Sequence, residues 1–253
     1  ICSGEKIPVT FRAAGTSLSG QALTESVLLG ASHKWENFSI RENGRFIDVQ
    51  PGLRGGKINR LLAPYNRKLG PDPASVNAAM IGGIVANNAS GMNGTLENSY
   101  RTIRAARILF ADGALLDTNN PDSRKTFAET HNSLLQGLTD IGKRIRQDDE
   151  IFNKLKQKYA IKNTTGLNMA PFIDYEDPFD ILLHLMVGSE GTLGFLSQIT
   201  LETLKIYPYK ASSLLFFKDI SKACRTIQKM ADIPAHSVEL LDRRALKAIE
   251  NQK

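Results

Sequence analysis

Three segments of this 253-residue chain consist almost entirely of glycine and other small residues. They are RAAGTSLSG at 12–20, PDPASVNAAMIGGIVANNASG at 71–91 and GSEGTLG at 188–194. Glycine adopts positive φ easily and lets another group approach the main chain closely. Successive N–H groups in such loops form a concavity that binds anions, commonly a phosphate. The segments therefore predict a phosphate-binding site, in which hydroxyls such as those of Thr16 and Ser17 add further donors.

Each segment alone also fits a purely structural role. A glycine-serine turn after a strand is more often only a turn, residues 79–89 suit a tight packing surface, and Glu190 suits an exposed loop. The presence of three such segments favours a ligand site, because an ordinary core does not require three small-residue loops.

The motifs of several other chemistries are missing from the sequence. There is no G-x-G-x-x-G for a Rossmann site, no P-loop and no H-E-x-x-H, and no G-x-S-x-G elbow of a serine hydrolase. The four histidines lack ligand spacing, and His184 in ILLHLMV is predicted to be a core histidine. Cys2 and Cys224 lie far apart in sequence and show no paired spacing, so they indicate neither a cysteine-ligated metal site nor a disulfide framework. No metal site is predicted, and a reducing compartment is favoured.

The composition is that of a globular protein, with 42% hydrophobic and 23% charged residues. The length suggests one large domain or two modest ones, and no apolar run reaches the roughly 18 residues of a membrane span. The net charge is +6, but basic residues are mixed with acids, as in KRIRQDDE. This favours a solvated surface over a nucleic-acid-binding stripe, and leaves an anionic ligand or an acidic partner open.

Local patterns predict an α+β chain in which strands alternate with helices. The predicted strands and hairpins are a strand at 6–12, a hairpin around Asn43-Gly44, a hairpin around Asp112-Gly113, a strand in FLSQITLETL and a strand beginning at SSLLFF. The predicted helices are GGKINRLLAPY, residues 133–159 with a break near Asp148-Asp149, residues 178–187, and residues 219–231 with Asp219 or Ser221 near the cap.

The three small-residue segments, in this order, resemble the FAD-binding domain of the vanillyl-alcohol-oxidase and para-cresol-methylhydroxylase (PCMH) superfamily. They are similar in particular to the FAD-linked 2-hydroxy-acid dehydrogenases for D-lactate, glycolate and D-2-hydroxyglutarate. That branch carries R-G-x-G-T-S-L-S-G, then P-D-P-x-S…I-G-G-x-V-A-x-N-A-x-G, then G-S-E-G-T-L-G. The stretches NNASGMNGTLENSY and IKNTTG…DPFDILLHLMVGSEGTLGF resemble long bacterial members that are fused to an iron–sulfur region. The resemblance covers residues 7–204.

The resemblance implies that the first loop wraps the FAD pyrophosphate with backbone N–H groups. The matching residues are Arg12, Ala13, Ala14, Gly15, Thr16, Ser17, Leu18, Gly20 and Gln21. Ala13 and Ala14 depart from the pattern, where glycines are common. Relatives that tether FAD covalently often carry a histidine at the position of Thr16, so noncovalent FAD is expected here.

The resemblance also implies that the second segment runs beside the flavin and that the third lies near the adenosine. The second contributes Pro71, Asp72, Ser75, Ile81, Gly82, Gly83, Ala86, Asn88, Ala89 and Gly91, of which the Gly82-Gly83 pair is the strongest candidate. The third contributes Glu190, Gly191 and Gly194, with Ile199 on the strand that follows. Two roles suit Asn163, Thr164 and Thr165 about equally well: contact with the flavin, or formation of a loop without a ligand.

The expected fold is α+β. It comprises a PCMH-type FAD-binding domain of two α+β subdomains over residues 1–206, lacking its first strand-helix unit, and then the start of an α+β cap domain over 207–253. In the family, a 2-hydroxy acid gives a hydride to flavin N5, and electrons pass to a quinone, an iron–sulfur partner or an electron-transfer flavoprotein. The base and the carboxylate clamp belong mostly to the cap, so no catalytic residue is assigned. Arg101 and Arg104 are substrate-side candidates, but fit a solvated basic face better.

From the same resemblance we expect these 253 residues alone to be inactive and to bind FAD weakly or not at all. We expect no nucleic-acid partner and no transmembrane segment, and a cytoplasmic location or one peripheral to the membrane. Two alternatives remain open at this point. One is another flavin enzyme of the superfamily, such as an alcohol oxidase or an alkyl-glycerone-phosphate synthase. The other is a noncatalytic module that binds an anion or a nucleic acid.

Overall fold

The computed structural model describes residues 2–91, 97–161, 163–164, 166–230 and 238–250. The chain divides into two compact units, Ile1–Ile206 and Tyr207–Lys253. The strands are β1 (Val9–Arg12), β2 (Val27–Gly30), β3 (Phe38–Arg41), β4 (Phe46–Val49), β5 (Arg67–Lys68), β6 (Ile103–Leu109), β7 (Leu115–Asp117), β8 (Phe195–Glu202) and β9 (Leu204–Lys205). The α-helices are α1 (Gly55–Leu62), α2 (Ile81–Asn87), α3 (Ser99–Thr102), α4 (Pro121–Thr130), α5 (Asn132–Gln147), α6 (Asp149–Lys158), α7 (Pro171–Asp174), α8 (Pro178–Leu185), α9 (Ile220–Lys229) and α10 (Arg243–Glu250).

A five-stranded antiparallel sheet forms the centre of the first unit, in the order β3-β4-β8-β6-β7. Both predicted hairpins are confirmed. The turn between β3 and β4 has Asn43 at φ 52° and Gly44 at φ 84°, and Gly113 at φ 91° lies in the turn between β6 and β7. Asn and Gly tolerate this left-handed conformation, which explains why Asn-Gly and Asp-Gly mark hairpins.

One face of this sheet contributes to the main hydrophobic core, while the other carries charged pairs. Ile47, Ile199 and Leu201 are fully buried in the core. Since side chains alternate along a strand, their neighbours lie on the opposite face. There, Arg41 forms an ion pair with Asp48 at 2.8 Å. The buried face fixes the register of the strands, because a slip by one residue would exchange the two faces.

The first small-residue loop begins where a separate two-stranded parallel sheet ends. In this sheet β1 pairs with β2, and the backbone N–H of Ala31 donates to the carbonyl of Arg12 at 2.8 Å. The predicted strand at 6–12 is thereby confirmed over Val9–Arg12. The loop at 13–26 connects β1 to β2, so its two ends are held next to each other.

The helical predictions are largely confirmed. The break near 148–149 separates α5 from α6, because the side chain of Asp148 caps α6 by accepting from the N–H of Ile151 at 3.0 Å. Asp219 caps α9 in the same manner, through the N–H of Ser221 at 2.7 Å. The sequence patterns missed α2 and α4, since the glycine pair of α2 and the weak apolar periodicity of α4 hide their helical character.

The predicted strand at SSLLFF is wrong. Residues 212–217 form no strand, although the structure describes all of them. The side chains of Leu214 and Phe216 are exposed. Apolar β-formers produce a strand only where a neighbouring strand pairs with them, and the described part of the second unit contains none.

No helix within the described ranges is long and apolar enough to cross a membrane.

Candidate functional site

A cleft of about 210 Å³ in the first unit brings the three small-residue segments together. These segments lie far apart in the chain, so the fold and not the local sequence assembles the cleft. The predicted residues that line it are Ala13, Ala14, Gly15, Thr16, Ser17, Gln21, Ser75, Gly82, Gly83, Ala86, Ala89, Glu190 and Gly191.

The first loop forms one wall and has the backbone that its glycines permit. Gly15 has φ 68° and Gly20 has φ 78°, whereas Ala13 and Ala14 are not among the residues with positive φ. The alanines therefore occupy positions where a side chain is tolerated. The hydroxyl of Ser17 donates to Oε1 of Gln21 at 2.5 Å, which closes the loop on itself.

Helix α2 forms the facing wall, and its two glycines have different surroundings. A Cβ on Gly82 would lie 2.5 Å from Cβ of Pro51, so no side chain fits there. A Cβ on Gly83 would lie 3.6 Å from Cβ of Ala13, an ordinary contact distance. Gly82 is therefore required by the packing of α2, whereas Gly83 leaves the main chain of α2 open toward the first loop.

The third loop is attached to the C-terminal end of α2. The N–H of Gly188 donates to the carbonyl of Val85 at 3.3 Å, and the N–H of Glu190 donates to the carbonyl of Ala86 at 2.9 Å. The side-chain amide of Asn87 donates to Oε1 of Glu190 at 2.5 Å. Two carbonyls at the end of α2 thus find partners, and the loop is fixed along the cleft.

Asn88, the C-cap residue of α2, forms hydrogen bonds with two other segments of the chain. It is buried, has φ 55°, and accepts a hydrogen bond from the N–H of Tyr100 at 3.3 Å. Its amide donates to the carbonyl of Asn163 at 3.2 Å. Asn163 therefore lies beside the end of α2, while Thr165 falls outside the described residues.

Several predicted site residues do not line the cleft, namely Arg12, Leu18, Gly20, Pro71, Asp72, Ile81, Asn88, Gly91, Gly194 and Ile199. Ile81 and Ile199 are fully buried in the core. A Cβ on Gly91 would lie 1.8 Å from the carbonyl oxygen of Asp72, and one on Gly194 would lie 3.0 Å from that of Leu109. The structure gives these four residues a packing role, and any contact with a cofactor stays a prediction.

Sequence reasoning missed the apolar part of the lining. Phe11 and Phe195 both line the cleft, and their rings stack with centroids 4.5 Å apart. Trp35 packs edge-on against Phe195 at 5.2 Å. A signal was available, because Phe11 precedes the first loop and Phe195 directly follows the third. The other missed lining residues are Ala22, Ala31, Pro51, Ala79, Met80, Ile84, Asn87 and Leu196.

The lining fits a ligand that combines phosphate groups with flat, weakly polar rings. Glycines at positive φ and small side chains expose main-chain N–H groups for phosphate, and aromatic and aliphatic side chains provide an apolar surface. Most binding sites for cofactors are apolar clefts with a few polar groups that fix orientation. FAD has both kinds of group, so the residues present suit it.

His184 lies outside the cleft and is a core histidine, as predicted. It is buried, with Nε2 2.9 Å from the hydroxyl of Tyr175 and Nδ1 2.8 Å from the carbonyl of Asp180. Burial lowers the pKa of His184 to about 4. Burial also raises the pKa of Tyr100, whose hydroxyl donates to Asp174 at 2.8 Å. No group of His, Cys, Asp and Glu in the described part of the chain is arranged to hold a metal ion.

Arg101 and Arg104 have partners within the protein. Arg104 binds the carboxylate of Glu202 at 2.6 Å, and Arg101 lies 3.7 Å from Asp174. These contacts support a role at the surface, because neither guanidinium is free of a carboxylate.

Comparisons with known proteins agree with this geometry. Residues 1–119 match the family model described as the FAD binding domain. The chain is 25% identical to D-2-hydroxyglutarate dehydrogenase of Haemophilus influenzae, over 96% of this chain and 24% of that protein. It is 29% identical to the glycolate oxidase subunit GlcD of Escherichia coli K12, over 99% of this chain and 41% of that protein. It is also 26% identical to mitochondrial D-lactate dehydrogenase [cytochrome] of Kluyveromyces lactis, over 98% of this chain and 35% of that protein.

The fold has a counterpart among solved structures. An alkyldihydroxyacetonephosphate synthase matches with a TM-score of 0.51 at 14% identity, over 82% of this chain and 29% of that chain. At this identity the likeness concerns the fold alone. The chain thus spans less than half the length of each of these proteins. The predicted similarity to FAD-linked 2-hydroxy-acid dehydrogenases is confirmed, and so is the predicted α+β fold. The match to the FAD binding domain covers residues 1–119.

Proposed function

We propose that the protein is an FAD-dependent oxidoreductase that oxidises a 2-hydroxy acid, and that this chain supplies the cleft for FAD. The observation that carries the proposal is the convergence of three distant small-residue segments on one cleft. The names of the relatives support the substrate class, since 2-hydroxyglutarate, glycolate and lactate all carry a hydroxyl on the carbon next to a carboxylate.

Each wall of the cleft has a proposed task. The main-chain N–H groups of the first loop, from Gly15 to Ser17, bind the pyrophosphate. The open main chain at Gly83 allows the flavin side of the cofactor to lie against α2. The third loop, at Glu190 and Gly191, borders the adenosine. Thr16 carries no nucleophilic imidazole, so the cofactor is held noncovalently. When bound, FAD supplies the hydride acceptor for the oxidation.

We further propose that the two units correspond to two functional domains. Residues 1–206 form the FAD-binding domain, and residues 207–253 begin the substrate-binding cap. The division of the chain between Ile206 and Tyr207 supports this assignment. The base that takes the hydroxyl proton and the cation that holds the substrate carboxylate then belong to the cap.

Electrons leave the protein through a partner, which we propose to be a quinone, an iron–sulfur protein or an electron-transfer flavoprotein. We also propose a reducing location in the cytoplasm, or at a membrane surface where a quinone is reached. Cys2 and Cys224, both free thiols, support the reducing compartment.

The experiment that tests the function is anaerobic reduction of the flavin in the whole protein. D-2-hydroxyglutarate, glycolate and D-lactate are added in turn, with L-lactate and an aromatic alcohol as controls. At least one 2-hydroxy acid is expected to bleach the oxidised flavin band within the mixing time. Bleaching by the aromatic alcohol alone, or by none of the compounds, would contradict the proposed substrate class.

A further inference from the structure

We propose that the side chain of Arg12 is the counter-charge for the pyrophosphate of the cofactor, in addition to the main-chain N–H groups of the first loop. This inference rests on the proposed function, since it concerns how the same cleft holds FAD. It assigns a role to a side chain that does not itself line the cleft.

The first observation is the position of the guanidinium. Arg12 is the last residue of β1, and its side chain folds back over the loop that follows. A Cβ placed on Gly15 would lie 2.5 Å from Nε of Arg12, 2.7 Å from Nη2 and 2.9 Å from Cζ. The guanidinium therefore packs directly on the main chain of Gly15, which lines the cleft. Gly15 is required both for this approach and for its own φ of 68°.

The second observation is the charge of the lining. Among the described residues that line the cleft, Glu190 is the one ionisable side chain. A pyrophosphate diester carries two negative charges, and a carboxylate in the same cleft repels them. The main-chain N–H groups carry no net charge, so they stabilise the anion only through their dipoles. A cation at the edge of the first loop adds a full opposite charge.

The third observation is that the charge of Arg12 is available. Within the described residues its guanidinium has no hydrogen bond or ion pair, whereas Arg41 and Arg104 are bound to carboxylates. The planar guanidinium matches a phosphate group through two parallel hydrogen bonds. An unpaired guanidinium next to a phosphate-binding loop is therefore suited to complete the site.

The test is a fluorescence titration of the apo form of the whole protein with FAD, at a series of KCl concentrations. The variants are Arg12→Gln and Arg12→Lys, with Arg60→Gln as the matched control. Arg60 lies on α1, is exposed and does not line the cleft, so its loss changes the net charge equally. A thermal melt of each apo variant confirms that it is folded.

We expect Arg12→Gln to raise the Kd for FAD by about tenfold at low salt, since charge-assisted hydrogen bonds to phosphate are lost. The difference from the wild type shrinks as salt screens the attraction. The Kd of Arg12→Lys should lie between those of the wild type and Arg12→Gln, because lysine keeps the positive charge but lacks the planar guanidinium that forms two parallel hydrogen bonds. Arg60→Gln behaves as the wild type does.

Two results would overturn the inference, and they are distinguishable. The first result is that Arg12→Gln binds FAD with the wild-type Kd at every salt concentration, or with a Kd that is raised by the same factor at every salt concentration. In that case Arg12 is not the counter-charge, but the proposed FAD site is unaffected. If the wild-type protein binds no FAD, the proposed function fails and this inference fails with it.

Discussion

At the scale of single residues, the two glycines of α2 serve different purposes: one allows close packing, and the other leaves room for the cofactor. Gly82 contacts Pro51 with no room for a methyl group, whereas Gly83 has ordinary contact distance to Ala13. We expect Gly82→Ala to lower the free energy of unfolding by about 1–3 kcal/mol, as overpacking does. Gly83→Ala should leave stability unchanged or slightly higher, because alanine favours a helix, but should weaken FAD binding by narrowing the cleft.

Urea unfolding and FAD titration of the two variants check this prediction. Equal loss of stability in both would show that the spaces at the two glycines are not as different as the structure indicates. The sequence predicted that the pair matters. It did not show which of the two glycines has room for a Cβ, because that depends on the contact of Gly82 with Pro51, which lies far away in the sequence.

His184 makes the stability of the fold depend on pH. Burial lowers its pKa from the ordinary 6.5 to about 4, so the unfolded chain binds a proton more readily than the folded one. The folded state is therefore most stable above pH 6.5, and loses up to about 3 kcal/mol as the pH falls to 4. Unfolding free energies of wild type and His184→Gln, measured from pH 7 to pH 4, test this. The variant should show a flatter dependence, and an identical slope in both proteins would rule out the assignment.

At the scale of elements, the hydrogen bonds that hold the third loop against the C-terminal end of α2 determine the shape of the cleft. Glu190 adopts φ 54° and is held by Asn87. A left-handed backbone strains any residue with a Cβ, by about 1–2 kcal/mol. Glu190→Ala loses the hydrogen bond and keeps the strain, whereas Glu190→Gly loses the bond and relieves the strain.

We therefore expect Glu190→Ala to be less stable than Glu190→Gly by about 1 kcal/mol, part of the strain being offset by the flexibility of glycine in the unfolded chain. Urea unfolding of the two variants, with Asn87→Ala to isolate the hydrogen bond, measures this difference. Higher stability of the alanine variant would mean that the backbone at Glu190 is not strained.

Local signals explain which elements could be predicted. Asn43-Gly44 and Asp112-Gly113 mark their hairpins, because the turns need residues that accept positive φ. Asp148 and Asp219 mark helix starts, because their carboxylates cap free N–H groups. SSLLFF failed as a strand because pairing is not a local property. Helix α2 escaped detection because Gly82 and Gly83 are poor helix formers, and contacts with Pro51 and the third loop stabilise it.

At the scale of the whole molecule, the cleft depends on contacts between distant parts of the chain. The three small-residue segments could be recognised in the sequence from their residue types, but their convergence on one cleft could not. The aromatic wall formed by Phe11 and Phe195 illustrates this, since almost the whole of the first unit separates the two residues in sequence. Ile199 and Gly194 likewise look like site residues by motif, and the fold uses them for packing.

Noncovalent binding of FAD in this cleft is tested by acid precipitation of the whole protein, after incubation with FAD and removal of the excess. We expect flavin in the supernatant, identified as FAD by chromatography, at about one molecule per chain. A supernatant without flavin, with the yellow colour retained in the precipitate or never bound at all, would contradict it.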